Sequence, residues 1–191
     1  MSWQTNPTLI AIRNIARQVG ITKAIGRFRS GRSYEHAFDE ALFASLREGD
    51  VIWDVGANVG YYTRRFAEVV GTDGRVVAFE PFPATAERLR THMQGVPNYT
   101  LQMTALGSEA GAVNMEGGAD ALGATSRIVK GSGNGVTVKI STGDDLVRKG
   151  DVPVPTVVKI DTEGFELDVL RGMTDLLCKP ELRALFVEVH F

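Results

Sequence analysis

The run Val51-Ile52-Trp53-Asp54-Val55 passes without a break into Gly56-Ala57-Asn58-Val59-Gly60, and helix-compatible sequence opens at Tyr61. An apolar strand that empties into a glycine loop and then a helix is the opening unit of a sheet wound with crossover helices, and it constrains the fold more than any other part of the chain. Glycine lets the backbone turn tightly and lets a ligand approach to contact, while the free N–H groups of the following helix face that ligand. The dinucleotide pattern G-x-G-x-x-G is not met, because Asn58 stands where its middle glycine belongs. A nicotinamide-dependent oxidoreductase is therefore disfavoured, although it would share the fold.

From Asp50 onward the alternation continues, which predicts an α/β, doubly wound, mostly parallel sheet. Strands are expected at Asp50 to Val55, Arg75 to Glu80, Tyr99 to Leu106, Val136 to Ile140, Thr156 to Asp161 and Leu185 to His190. Helices are expected over Tyr61 to Val70, over Ala84 to Gln94, in a short segment to about Lys149 for which Ser141 to Asp145 supply hydroxyl and carboxylate N-cap groups, and over Phe165 to Met173. The glycine-rich stretch from Met115 to Gly135 reads as a mobile connection or a hairpin. One domain suits 191 residues, divided into an N-terminal helical lid or packing segment over 1–48 and the nucleotide-fold body over 49–191.

Charge separates these two parts. Arg13, Arg17, Lys23, Arg27, Arg29 and Arg32 stand in the first 34 residues without an acid, although the whole chain carries a formal net charge of −2. An apolar stripe runs between them (Leu9, Ile10, Ile12, Ile15, Val19), as in a basic surface helix. A packing helix with a solvated edge is the plainer reading; contact with an anionic membrane surface, substrate or partner is the alternative. The acidic body argues against nucleic acid. The single Cys178 excludes an internal disulfide, and no apolar run approaches a membrane span of roughly 20 residues, so a cytoplasmic chain without a transmembrane segment is the expectation.

Two acids sharpen the loop. Asp54 sits at the exit of the first strand, where a carboxylate suits a ligand bearing an ammonium better than one bearing a diphosphate. Glu80 ends the second strand, where an acid can accept both hydroxyls of a ribose. An amino-acid head joined to a ribose describes S-adenosylmethionine (SAM). The plainer alternative makes Asp54 a turn cap and Glu80 a solvated strand end.

The blocks D-V-G-A-N-V-G-Y from Asp54, F-E-P from Phe79, A-L-G from Ala105, K-I-D-T-E-G-F-E from Lys159 and V-E-V-H from Val187 resemble, in this order, the FkbM-type methyltransferases. The resemblance runs from about Asp50 to His190. It implies a SAM-dependent, Rossmann-like enzyme that methylates a hydroxyl on a small molecule, sugar or polyketide. It also implies cofactor roles for Asp54, Gly56, Ala57, Asn58, Gly60, Glu80 and Pro81, and an adenine-side role for the segment Thr104, Ala105 and Leu106. Members of that class continue past the fifth strand into a final antiparallel pair, whereas this sequence stops at Phe191. An open edge near Glu188 to His190 would favour swapping or a homodimer. A module that binds SAM without turning it over is the remaining alternative.

Ligands of open α/β sheets sit outside the carboxyl ends of the strands, where Asp161 and His190 are expected. Both are candidate bases, with Asp161 also facing the cofactor; His190 has the ordinary pKa nearer neutrality. Lys159 lies two residues before Asp161 on the same strand face, so it pairs with that acid or meets the substrate. Asp161, Glu163, Glu188 and His190 could instead converge on a divalent cation such as Mg, or form an ion-pair network at the rim. His36 and His92 read as surface residues, Trp53 as core and Cys178 as a structural thiol.

Overall fold

The computed structural model describes residues 31–116, 127–129 and 135–189. The expected basic helix before residue 31, and His190 with Phe191, lie outside the described residues. The elements run α1 (Gly31–Ser45), β1 (Val51–Val55), α2 (Tyr61–Val70), β2 (Arg75–Phe79), α3 (Pro83–His92), β3 (Tyr99–Gln102), β4 (Ala105–Leu106), β5 (Gly111–Glu116), β6 (Arg127–Val129), β7 (Val136–Ser141), α4 (Gly143–Arg148), β8 (Val157–Ile160), α5 (Glu166–Arg171) and β9 (Ala184–Val187). Five strands form a sheet in the order β3-β2-β1-β8-β9, and every neighbouring pair in it is parallel. The α/β, Rossmann-like doubly wound expectation is met.

Strand side chains alternate between two cores, as a sheet covered on both faces requires. Trp53, Val55, Val77, Phe79, Val158 and Ile160 face Leu146 of α4 and Val169 of α5. Ile52, Val76, Ala78 and Val157 face Phe38 and Leu42 of α1, Phe66 and Val70 of α2, and Leu89 of α3. Asp54 and Lys159 stand opposite each other in the β1–β8 register. By the same alternation both occupy the face covered by α1, α2 and α3, and both are buried.

The stretch Tyr99 to Leu106 is not one strand. Its first half pairs with β2, and its second half, Ala105–Leu106, pairs with β7 in a separate four-stranded sheet of order β4-β7-β5-β6. Thr104 fixes the step between them: its hydroxyl lies 3.1 Å from the Lys139 carbonyl and 3.3 Å from Ser141 Oγ. Strand β5 was not expected. It runs antiparallel to both β6 and β7, so the glycine-rich stretch is flanked by paired strands, as the hairpin alternative required. The expected N-cap of α4 is present, with Thr142 Oγ1 accepting from the Asp145 amide. No helix among the described residues is long and apolar enough to cross a membrane.

Candidate active site

A cleft opens at the carboxyl ends of β1, β2 and β8. The glycine loop forms one side of it, and two amides of that loop fold back onto β2: Gly56 and Ala57 N–H both donate to the Phe79 carbonyl, at 3.1 and 3.0 Å. Gly56 has φ of +80°, and a Cβ there would come 1.8 Å from the Asp161 carbonyl oxygen. Only glycine lets the loop pass this close to the end of β8. Asn58 also adopts a left-handed conformation, with φ of 51°, which asparagine tolerates better than most residues.

Glu80 leaves the end of β2 and turns back under this loop. Its Oε2 accepts from the Asn58 amide at 3.0 Å and its Oε1 from the Phe82 amide at 2.9 Å. Burial pushes its carboxyl up to about 7, the two backbone donors and the nearby charge of Asp54 being smaller influences. Each carboxylate oxygen has a second lone-pair site, and the group lines the cleft. A neutral diol brought there would supply the two donors that the site lacks.

Of the residues expected from sequence, Gly56, Asn58, Glu80, Pro81, Thr104, Ala105, Asp161 and Glu163 line the cleft together. Four do not. Asp54 is fully buried behind the loop, where its Oδ2 accepts from the Thr63 hydroxyl at 2.7 Å. Ala57 packs into the core beside Phe66. Gly60 begins α2 and faces Leu89 of α3. Lys159 is only 2% exposed and pairs with Asp161, 3.2 Å away, the first of the two readings its strand position left open.

Of the expected cation cluster, Asp161, Glu163 and Glu188 are described, and these three do not form a metal-holding group. Among the described residues, no group of three or more His, Cys, Asp and Glu side chains could hold a metal ion. Asp161 is engaged by Lys159, Glu163 sits at a left-handed turn, and Glu188 follows β9, with its amide bonded to the Ile160 carbonyl. His190 lies outside the described residues.

Several lining residues escaped the sequence. Thr85, Met115, Thr162 and Phe165 complete the wall; Met115 could not be assigned without β5. Glu166 is buried, and its Oε1 accepts from the Gly164 amide at 2.9 Å and the Thr162 amide at 3.3 Å, shaping the turn after Asp161. His92 is exposed, as expected, and its Nδ1 lies 3.0 Å from the Val59 carbonyl of the glycine loop. Tyr62 donates its hydroxyl to Asp39 of α1 at 2.6 Å. Burial first, then that bond and the charges of Asp39, Glu188 and Asp161, hold its phenol well above the ordinary range. Cys178 is a free, exposed thiol.

Chemically, the cleft offers a carboxylate able to accept a diol, Glu80, an apolar lining (Phe79, Leu106, Met115) suited to a flat ring, and a second carboxylate, Asp161. This donor set fits a nucleoside with a cationic substituent. The family described as the Methyltransferase FkbM domain matches residues 54–191. The hexuronic acid methyltransferase AglP of Haloferax volcanii is 38% identical over 151 residues, covering 78% of this chain and 59% of AglP, so the chain spans under two-thirds of that relative. Protein-L-isoaspartate O-methyltransferase 2 of Archaeoglobus fulgidus is 41% identical over 51 residues, 27% of this chain and 23% of that one. Among solved structures, a precorrin-6y C5,15-methyltransferase from Geobacter metallireducens aligns over 84% of this chain and 64% of its own, with 15% identity and a TM-score of 0.47.

Proposed function

The chain belongs to the FkbM methyltransferase domain family, and from that premise we propose that it is a SAM-dependent O-methyltransferase acting on a sugar hydroxyl, with uronic acid glycans as the first acceptor class. The observation that carries the cofactor reading is Glu80, buried beside the glycine loop with both oxygens anchored by backbone amides and open to the cleft. The acceptor class is supported by the name of the relative AglP.

In this reading Glu80 accepts the two ribose hydroxyls, and Thr104, Ala105, Leu106 and Met115 enclose the base. Gly56 and Asn58 bring backbone against the ligand, with Pro81 beside Glu80 at the rim. Asp54 and Gly60 act from behind, by holding the loop and starting α2. When bound, SAM supplies a methyl group on a sulfonium that leaves as a neutral thioether. The proton of the acceptor hydroxyl would pass to the carboxylate of Asp161, which lines the cleft. Positioning supplies much of the rate in such an in-line displacement, and a carboxylate at the cleft gives the proton somewhere to go.

The test is to incubate the protein with SAM and a panel of neutral hexosides and of glucuronic and galacturonic acid glycosides, following S-adenosylhomocysteine release and the methylated product by mass spectrometry. Methylation of the uronic acid members is expected. Binding of SAM with no carbohydrate methylated would overturn the acceptor class and leave the cofactor assignment standing.

A further inference from the structure

Lys159 occupies a position that its strand would ordinarily fill with a hydrophobe. The other three residues of β8 are apolar and buried, and Lys159 itself is 2% exposed. Taking an ammonium out of water is costly, and a well-packed apolar side chain in its place is often neutral or stabilising. Fold stability is therefore a poor explanation for a lysine here, and its contacts offer another.

The ammonium lies between two carboxylates, one lining the cleft and one buried behind its glycine loop. It is 3.2 Å from Asp161 Oδ2, on the acceptor side, and 3.6 Å from Asp54 Oδ1, behind the glycine loop. Asp54 Oδ1 is buried and has no hydrogen-bond donor, so the lysine charge is what compensates it. The other oxygen of Asp54 is bonded to Thr63 in the first turns of α2. The face of Tyr62, also in α2, lies 4.4 Å from Nζ and covers the cation. A single charge thus touches the base of the loop, the helix that the loop opens, and the cleft carboxylate.

We infer that Lys159 is a positioning residue that locks the Gly56–Gly60 loop and Asp161 into one unit by bridging Asp54 to Asp161. The coupling exists in the ligand-free protein. Its consequence for methyl transfer rests on the cofactor assignment made above: SAM held by the loop and the acceptor oxygen at Asp161 then keep a fixed separation, which an in-line displacement needs.

Amide hydrogen exchange on the ligand-free full chain tests the lock, with Asp54→Asn, Lys159→Met and the double variant compared with the unsubstituted protein. Asp54→Asn is expected to speed exchange about fivefold or more at Thr162 and Gly164, which its side chain does not touch, while Val76 at the other end of the sheet is unchanged. Lys159→Met is expected to loosen the same turn and the glycine loop together, and adding Asp54→Asn to it should change nothing further there. An even acceleration across the sheet would reduce the lysine to a structural role, and a further acceleration in the double variant would show that the two sites communicate through backbone alone; either result overturns the inference. If Lys159→Met does not fold, Lys159→Arg takes its place and should keep both sites protected. Calorimetry separates the two claims: both single variants should bind SAM about tenfold more weakly, whereas an unsubstituted protein that binds no SAM would defeat the cofactor assignment and leave the exchange result to decide the lock.

Discussion

At the amino-terminal edge of the parallel sheet, Asp50 is enclosed by both terminal nitrogens of Arg183 (2.8 and 3.0 Å), the Thr156 hydroxyl (2.9 Å) and the Arg47 amide (2.7 Å). At the carboxyl edge, Glu80 has two backbone amides, and one oxygen of Asp54 has no hydrogen-bond donor. Both edges bury carboxylates, but they resolve the cost differently. Burial pushes Asp50 up, yet its Arg183, Thr156 and Arg47 bonds outweigh that and bring it below the ordinary carboxylate value. Burial wins at Glu80, which is raised to about 7. One edge is satisfied by the protein alone and ties α1 to β9, since Arg183 also bonds the Ser45 carbonyl; at the other, Glu80 keeps spare acceptor capacity facing the cleft. Unfinished electrostatics in a cleft is where a ligand completes the structure.

The largest test of this contrast is Arg183→Met, which strands a buried charge at Asp50. A loss of about 3–5 kcal/mol in denaturant-unfolding stability is expected, with SAM affinity of the folded protein unchanged; a parallel loss of affinity would show that the two edges are not separate. Gly56→Ala attacks the other edge, because its Cβ meets the Asp161 carbonyl, which is backbone and cannot yield. An affinity loss of about a hundredfold, near 2.7 kcal/mol, should appear in calorimetry and exceed any change in the Asp50 latch.

The two carboxylates should also carry opposite pH signatures. Between the ordinary carboxylate value of 4.5 and about 7, folded Glu80 holds a proton that the unfolded chain has released, so this group removes stability as pH rises through that window. Asp50 behaves the other way: its contribution is present above 3.8 and is lost as pH falls through its lowered folded value. Because the ribose hydroxyls need acceptors, SAM affinity should rise several-fold between about pH 6 and pH 8 and become flat in Glu80→Gln. The smallest effect is expected from Thr63→Val, which removes the hydroxyl donor to Asp54 and should weaken SAM binding by about 1 kcal/mol.

What the sequence disclosed follows from how local each signal is. The helix Tyr61–Val70 and the strands on either side of it were readable because a single periodicity and a glycine loop determine them. Gly56, Asn58, Glu80 and Asp161 were placed in one cleft because strand ends in such a sheet converge. Strand β5 and with it Met115 were not, since an antiparallel partner distant in sequence creates that strand. The break at Thr104 was hidden for the same reason, its hydroxyl answering to Lys139 and Ser141 in β7. Asp54 shows the remaining gap: position in the motif placed it at the loop, and only packing reveals that it supports the loop from behind.

Isothermal titration of the unsubstituted protein and Glu80→Ala with SAM, S-adenosylhomocysteine and NADH decides whether the cleft beside Glu80 holds SAM. Micromolar binding of the first two is expected, none of NADH, and a loss of at least tenfold in affinity in the variant. Binding of NADH, or SAM affinity indifferent to Glu80, would rule that assignment out.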